Sequence, residues 1–238
     1  MSPDELRERV ATACRVIALE GYVDLTLGHV SARNPGERTV WIKRKGPGLN
    51  EVEPSDVIPL DMDDPEAFAS ADYHLESVMH TEIYRLRPDV GSVIHGHPVY
   101  GTALGATDGD LQMLTHDAVL FADGIGVYDD GPELIMNQGQ GRRVAEALGG
   151  RRAALLRNHG VVIAGEDIRW AVLAAVTLER AIRFQSIAFT LGSPRPIPQD
   201  GAERLLPQKY RESFLDEYWG AWVRRVHGRD ATGGGSAA

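Results

Sequence analysis

Two kinds of apolar pattern alternate along the chain: runs with apolar positions every three or four residues, and short apolar runs closed by glycine or proline. These are the marks of helices interleaved with strands. In "SPDELRERVATACRVIALEGY" the residues Val10, Cys14, Ile17 and Ala18 recur at helical spacing. Ser2 is placed to cap this helix, Pro3 suits its first turn, and Glu5 follows Ser2 as in a capping box, with Gly21 as the expected stop. "RTVWIKRKGPG" opens as a short strand and ends in a Gly/Pro loop carrying Lys43, Arg44 and Lys45. "EPSDVIPLDMDD" reads as another short strand bounded by prolines. Over "SADYHLESVMHTEIYRLRPDV" the residues Leu75, Val78, Met79, Ile83 and Leu86 make one apolar helical face. Pro88 ends that helix, which runs directly into the strand "VGSVIHG".

From 105 to 141 the chain is glycine-rich, and its apolar runs "HDAVLF" and "IGVY" predict short strands and loops. "GRRVAEAL" reads as a short helix, and "AALLRNHGVVIAG" as two strands around a turn at Asn158-His159-Gly160. "EDIRWAVLAAVTLERAIRFQSIAFTLG" is the longest helix, with acids at its start and Gly192 and Pro194 after it. A last helix is expected over "PQKYRESFLDEYWGAWVRRV". There is no internal repeat and no evident linker. The strands cluster without regular βαβ alternation, so the pattern predicts one α/β domain over 1–226 with a mixed or antiparallel sheet, followed by a disordered tail over 227–238.

Composition narrows the function. A chain of 238 residues with 43% apolar content can bury a sizeable core. Its formal net charge of −9 argues against nucleic acid as a partner. No apolar run approaches the roughly 20 residues that span a bilayer, so no membrane association is expected. A single cysteine, Cys14, and a polar, acidic N-terminus fit a soluble protein of a reducing, cytoplasmic compartment.

The histidines change the picture. On a strand His95 and His97 point to the same face, and two imidazoles side by side are poor core filling because each brings a nitrogen that needs a partner. They line a polar crevice or hold a divalent metal. His159, in a turn between two apolar strands, can be aimed into the same cleft. Three imidazoles with an open position form the catalytic rather than the structural pattern. Glu76, beside the apolar stripe of the helix leading to His95, is a metal ligand, a proton carrier or a solvent-facing residue. His80 and His227 carry no assignment.

"GHVSAR", "RPDVGSVIHGHP" and "LLRNHG" followed by a long amphipathic helix resemble the class II aldolase/adducin family over about residues 5 to 190. The step from Glu76 to His95 repeats that family's interval between its catalytic acid and its first metal histidine. The family includes a zinc-dependent fuculose-phosphate aldolase, ribulose-phosphate epimerase and decarboxylases of hydroxylated aromatic acids. The resemblance implies that His95, His97 and His159 are metal ligands, with Glu76 the proton carrier or a fourth ligand. It also implies a three-layer α/β/α fold with a central, largely antiparallel sheet, assembled as a homotetramer with sites at subunit contacts.

The chain departs from the sugar-phosphate aldolases where they cradle phosphate. Gly28-His29 replaces a Gly-Asn pair, Lys43 to Gly46 replace a Ser-Gly loop, and His74-Leu75 replace two serines. Cations and imidazoles suit planar carboxylates better than a phosphate cup does. His29, Arg44, Lys45, Gly46 and His74 are therefore candidate substrate-binding residues, although the basic loop also reads as an ordinary solvated turn. His116 falls near the position of a tyrosine that the aldolases donate across a subunit contact, and is a candidate acid/base. The resemblance is closer to the decarboxylase branch than to the sugar-phosphate aldolases. It implies decarboxylation of a hydroxylated aromatic (di)carboxylate, a small anionic substrate, through a metal-stabilised enolate. The alternatives are an aldolase acting on a hydroxy-acid or sugar phosphate, a hydrolase using metal-bound hydroxide, and a non-catalytic adducin-like module. Zinc or manganese is the expected ion, and iron or cobalt also suit three imidazoles and a carboxylate.

Overall fold

Ser2 and Glu5 form the expected capping box at the start of α1 (Pro3–Leu19) in the computed structural model, which describes residues 1–64, 68 and 70–230. The strands are β1 (His29–Ala32), β2 (Thr39–Lys43), β3 (Val57–Asp61), β4 (Ser92–Gly96), β5 (Gly126–Tyr128), β6 (Ala153–Leu156) and β7 (Gly160–Gly165). They form one sheet in the order β3-β2-β1-β4-β7-β6-β5, antiparallel at every pairing except β5 with β6. The remaining helices are α2 (Ser77–Leu86), α3 (Val99–Gly105), α4 (Gln138–Leu148), α5 (Ile168–Leu191), α6 (Gln199–Lys209) and α7 (Glu212–Asp230). The expected class, a mixed α/β fold on a mostly antiparallel sheet, is the one observed.

The period of two along the central strands divides the core. Val161 and Ile163 of β7 join one apolar cluster with α1, α5 and α7, while Val162 and Ala164 join a second with α2 and α4. Helices therefore cover both sheet faces, and the strands between them read as continuous apolar runs because neither face meets water. No helix among the described residues is long and apolar enough to cross a membrane.

Several elements differ from the sequence reading. β1 and α3 were not foreseen. "HDAVLF" holds a 3-10 turn at Ala118–Phe121 rather than a strand. The C-terminal helix expected from Pro207 begins only at Glu212, as α7, and Pro207 belongs to α6, which starts at Gln199 and was not foreseen. The chain leaves the helical path at Tyr210, whose hydroxyl donates to the carbonyls of His116 and Asp117 and pins the break. α2 begins only at Ser77, and Leu75 and Leu86 are exposed, so its buried face is Val78, Met79, Ile83 and Tyr84. α7 continues to Asp230, past the boundary expected at 226, and the rest of the expected tail, 231–238, lies outside the described residues.

Candidate metal centre

β4 lies between β1 and β7 and carries His95 into the middle of the sheet. The His95 Nδ1 faces the Val161 carbonyl at 2.9 Å. A carbonyl only accepts, so Nδ1 holds the proton and Nε2 keeps its lone pair. That Nε2 is fully buried and has no hydrogen-bond partner, although Glu76 Oε2 stands 3.3 Å away. An orphaned, buried imidazole nitrogen beside a carboxylate is the condition a bound cation relieves.

His97 follows β4 by one residue, and its backbone amide donates to Asp24 Oδ2 at 2.8 Å. The same oxygen lies 3.4 Å from His97 Nδ1. Two glycines make room for that carboxylate: a Cβ at Gly28 or Gly96 would come within 2.9 or 2.8 Å of Asp24 Oδ2. Beyond His97, α3 starts at a proline that offers no side-chain cap. Glu179 of α5 takes over, accepting the amides of Tyr100 and Gly101 at 2.9 and 2.8 Å. His159 is aimed by the β6–β7 turn, where Asn158 adopts φ of 55°, a left-handed conformation asparagine tolerates. Its Nε2 lies 3.5 Å from Glu76 Oε1.

Glu76 is the N-cap residue of α2 and not part of the helix, a correction to the sequence reading that follows from the late helix start. Its Oε1 also accepts the Ile135 amide at 3.3 Å. Burial opposes the Glu76 charge, but the imidazoles of His159 and His95 beside it outweigh that and hold the carboxyl well below its usual range. Burial likewise opposes the Asp24 charge, and His97 overcomes it; the paired His97 is raised in turn. One ligand atom from each of Glu76, His95, His97 and His159 lies within 4.8 Å of all the others. The donor set, three imidazoles and a carboxylate, fits a divalent transition metal.

A model of the Class II Aldolase and Adducin N-terminal domain matches residues 8–186. The chain belongs to this family. It is 34% identical over 214 residues to the 4-hydroxy-3-prenylphenylpyruvate oxygenase/4-hydroxy-3-prenylbenzoate synthase of Streptomyces roseochromogenus subsp. oscitans, covering 88% of this chain and 77% of that one. It is 33% identical over 189 residues to the 3,4-dihydroxyphthalate decarboxylase of Arthrobacter keyseri, covering 73% of this chain and 74% of that one. Among solved structures, an aldolase II superfamily protein from Pseudomonas syringae superposes with a TM-score of 0.82 at 25% identity, covering 95% of this chain and 94% of that one.

Behind the four residues, this class II aldolase family member packs three further histidines. His29 pairs directly across from His95, and its ring is 4.7 Å from His74, 4.8 Å from His80 and 5.1 Å from His95. His29 Nδ1 meets His80 Nε2 at 2.8 Å, His80 Nδ1 meets Ser31 Oγ at 2.6 Å, and Ser31 Oγ meets the Tyr84 hydroxyl at 2.8 Å. Burial pushes His29 and His80 well below the ordinary histidine value, and the neighbouring imidazoles add to the effect.

Lys43 is fully buried. Its ammonium donates to the carbonyls of Thr26 and Arg44 and to His74 Nε2 at 3.2, 3.3 and 3.2 Å, which uses its three N–H groups. Burial lowers the Lys43 pKa, and burial together with Lys43 brings His74 down to about 4. The Arg44 backbone beside His74 opposes that lowering only in part.

Of the residues singled out from sequence, His95, His97, His159 and Glu76 converge, with His29 and His74 at their border. Arg44 does not stand free for a ligand: it pairs with Asp56, joining the end of β2 to the start of β3. Lys45 is exposed, with its backbone amide on the Asp72 carbonyl, and Gly46 supplies the left-handed φ of 114° that turns the loop. His116 is exposed in the loop before the 3-10 turn and is not one of the four converging residues. Asp24 and His80 were missed. The one available signal for Asp24 was a lone acid in the otherwise apolar stretch "YVDLTLG".

Proposed function

We propose that the protein is a metal-dependent carbon–carbon lyase that decarboxylates a hydroxylated aromatic carboxylate. The convergence of His95, His97, His159 and Glu76 around the bare Nε2 of His95 carries this reading. The dihydroxyphthalate decarboxylase named among its relatives supports the substrate class. His95, His97 and His159 hold zinc or manganese, which supplies a Lewis acid for charge developing on the substrate oxygen next to the breaking bond. Glu76, ionised at rest, takes the phenolic proton. The bond to the carboxyl carbon then breaks, carbon dioxide leaves, and the electron pair remains on the ring carbon, which receives the proton from Glu76. His29 and Lys45 bind the anionic ends of the substrate, and Gly46 shapes the loop that presents Lys45. His74 and Arg44, already engaged by Lys43 and Asp56, hold that wall in place. His116 reaches a site from a neighbouring subunit of a homotetramer. We read the helix–sheet–helix arrangement as the three-layer form of the family, and the protein as cytoplasmic.

The test is incubation of metal-loaded protein with dihydroxyphthalates and with sugar phosphates, recording carbon dioxide against aldehyde. Release of carbon dioxide is expected, and aldehyde without carbon dioxide would move the protein to the aldolases. Metal below about half an equivalent after a metal-replete preparation would favour an adducin-like module. The oxygenase named among the relatives supports a second reading, in which the same residues hold iron. Consumption of dioxygen during turnover would decide for it.

A further inference from the structure

His29 is a buried imidazole beside the three that cluster with Glu76, directly across the β1–β4 ladder from His95. Its Nδ1 is engaged by His80, so its Nε2 faces away from His80, and the neighbouring rings on its other sides are His74 and His95. A bare Nε2 would be a metal ligand, whereas a protonated one is a donor. The far end of a hydrogen-bonded chain decides between them.

Tyr84 is buried, and Ser31 Oγ is its hydroxyl's side-chain partner. The backbone amide of Val93 also faces the phenol oxygen. An amide only donates, so the Tyr84 proton has Ser31 Oγ as its acceptor. Ser31 then gives its own proton to His80 Nδ1. His80 carries its hydrogen on Nε2 and donates it to His29 Nδ1, which leaves His29 protonated on Nε2. The opposite polarity strands the Tyr84 proton in the core without an acceptor, which buried polar groups avoid. Charging either imidazole changes nothing, since His29 Nε2 bears hydrogen in each protonated form as well.

The neighbours do not take up that hydrogen. His74 Nε2 receives Lys43, the Val161 carbonyl receives His95 Nδ1, and His95 Nε2 has no partner. We propose that His29 is an N–H donor to an anionic oxygen, carboxylate or phenolate, of the bound substrate and not a fourth metal ligand. His80, Ser31 and Tyr84 are positioning residues that fix its polarity. The inference rests on the metal-site reading above but not on which reaction the site performs.

Long-range proton–nitrogen NMR of protein with 15N-labelled histidine tests this without turnover. The His29 signal is assigned by its loss in His29→Gln. Nε2 of His29 should be protonated in both metal-free and zinc-loaded protein, while His95, His97 and His159 shift on zinc addition. A bare His29 Nε2, or a zinc-induced shift like theirs, overturns the proposal. His29→Leu should keep its zinc and bind 2,3-dihydroxybenzoate about 10–100-fold more weakly, the worth of a hydrogen bond to a charged group. His29→Gln, whose amide can still donate, should retain most of that affinity. Loss of zinc from His29→Leu in parallel with His95→Leu overturns the proposal. His80→Leu should give mixed His29 tautomers and His80→Gln should restore the single one; an unaltered His29 signal in His80→Leu removes the positioning role. If zinc binds nowhere, the metal-site reading fails, while the His29 tautomer in the wild-type protein still stands or falls on its own spectrum.

Discussion

One oxygen of Asp24 holds His97 at two points, accepting its backbone amide at 2.8 Å and lying 3.4 Å from ring Nδ1. A carboxylate on the far nitrogen of a ligating imidazole fixes the tautomer, aims Nε2 and raises its basicity. Asp24→Asn keeps the volume and one acceptor but removes the charge. Metal affinity should fall about 10–100-fold with the fold retained. Competition against a metal-sensing chelator measures this, and wild-type affinity in the variant would reduce Asp24 to a backbone anchor.

Glu76 touches both His95 and His159, and two roles are distinguishable by one substitution. As a proton carrier it is dispensable for holding the ion. Glu76→Gln should therefore retain metal while turnover drops about 10²–10⁴-fold. His159→Ala should lose metal and turnover together. Elemental analysis of the two purified variants separates the cases: a metal-free Glu76→Gln protein would make Glu76 a ligand, and a fully active one would mean it has no role in proton transfer.

Much of this centre is visible in one dimension because its geometry is local. The period of two places His95 and His97 together, and the Asn-His-Gly turn exposes His159 between two strands that the sequence also reveals. What escapes the sequence is set by partners far along the chain. β1 has four residues of which only Val30 and Ala32 are apolar, and it is a strand because β2 and β4 flank it. Lys43 belongs to a basic run that reads as solvated, yet the acceptors of Thr26, Arg44 and His74 allow it to be buried. His80 sits on an apolar helix face, and only the fold shows that His29 and Ser31 are the partners of its two nitrogens. The break at Tyr210 depends on carbonyls at 116 and 117, out of reach of any local pattern.

Gly160 is a packing requirement of the metal centre. A Cβ there would stand 2.6 Å from the Gly96 carbonyl oxygen and 2.7 Å from His97 Cδ2. The first contact is with backbone at the β4–β7 pairing, so it cannot be relieved by a side-chain rotation. Gly160→Ala should lower stability by about 1–3 kcal/mol and weaken metal binding by displacing His97. Urea unfolding with a parallel metal titration checks both, and an alanine variant with unchanged metal affinity would show that the strands part without moving His97.

The buried imidazoles make the metal-free protein sensitive to mild acid. Burial and the Lys43 ammonium bring His74 down to about 4 from an ordinary value of 6.5, and His29 and His80 are lowered in the same direction by burial and by neighbouring imidazoles. Between those two values the unfolded chain binds protons that the folded chain refuses, so stability rises with pH across that window. The contribution is whole above pH 6.5 and is lost as pH falls toward 4; for His74 it is of the order of 3 kcal/mol. His74→Gln keeps an acceptor for Lys43 without a titrating ring. Urea unfolding in chelator between pH 7.5 and 5 should therefore show a shallower decline for the glutamine variant than for the wild type. Equal slopes would mean that His74 takes its proton in the folded state, and that the Lys43 contact does not keep the ring neutral.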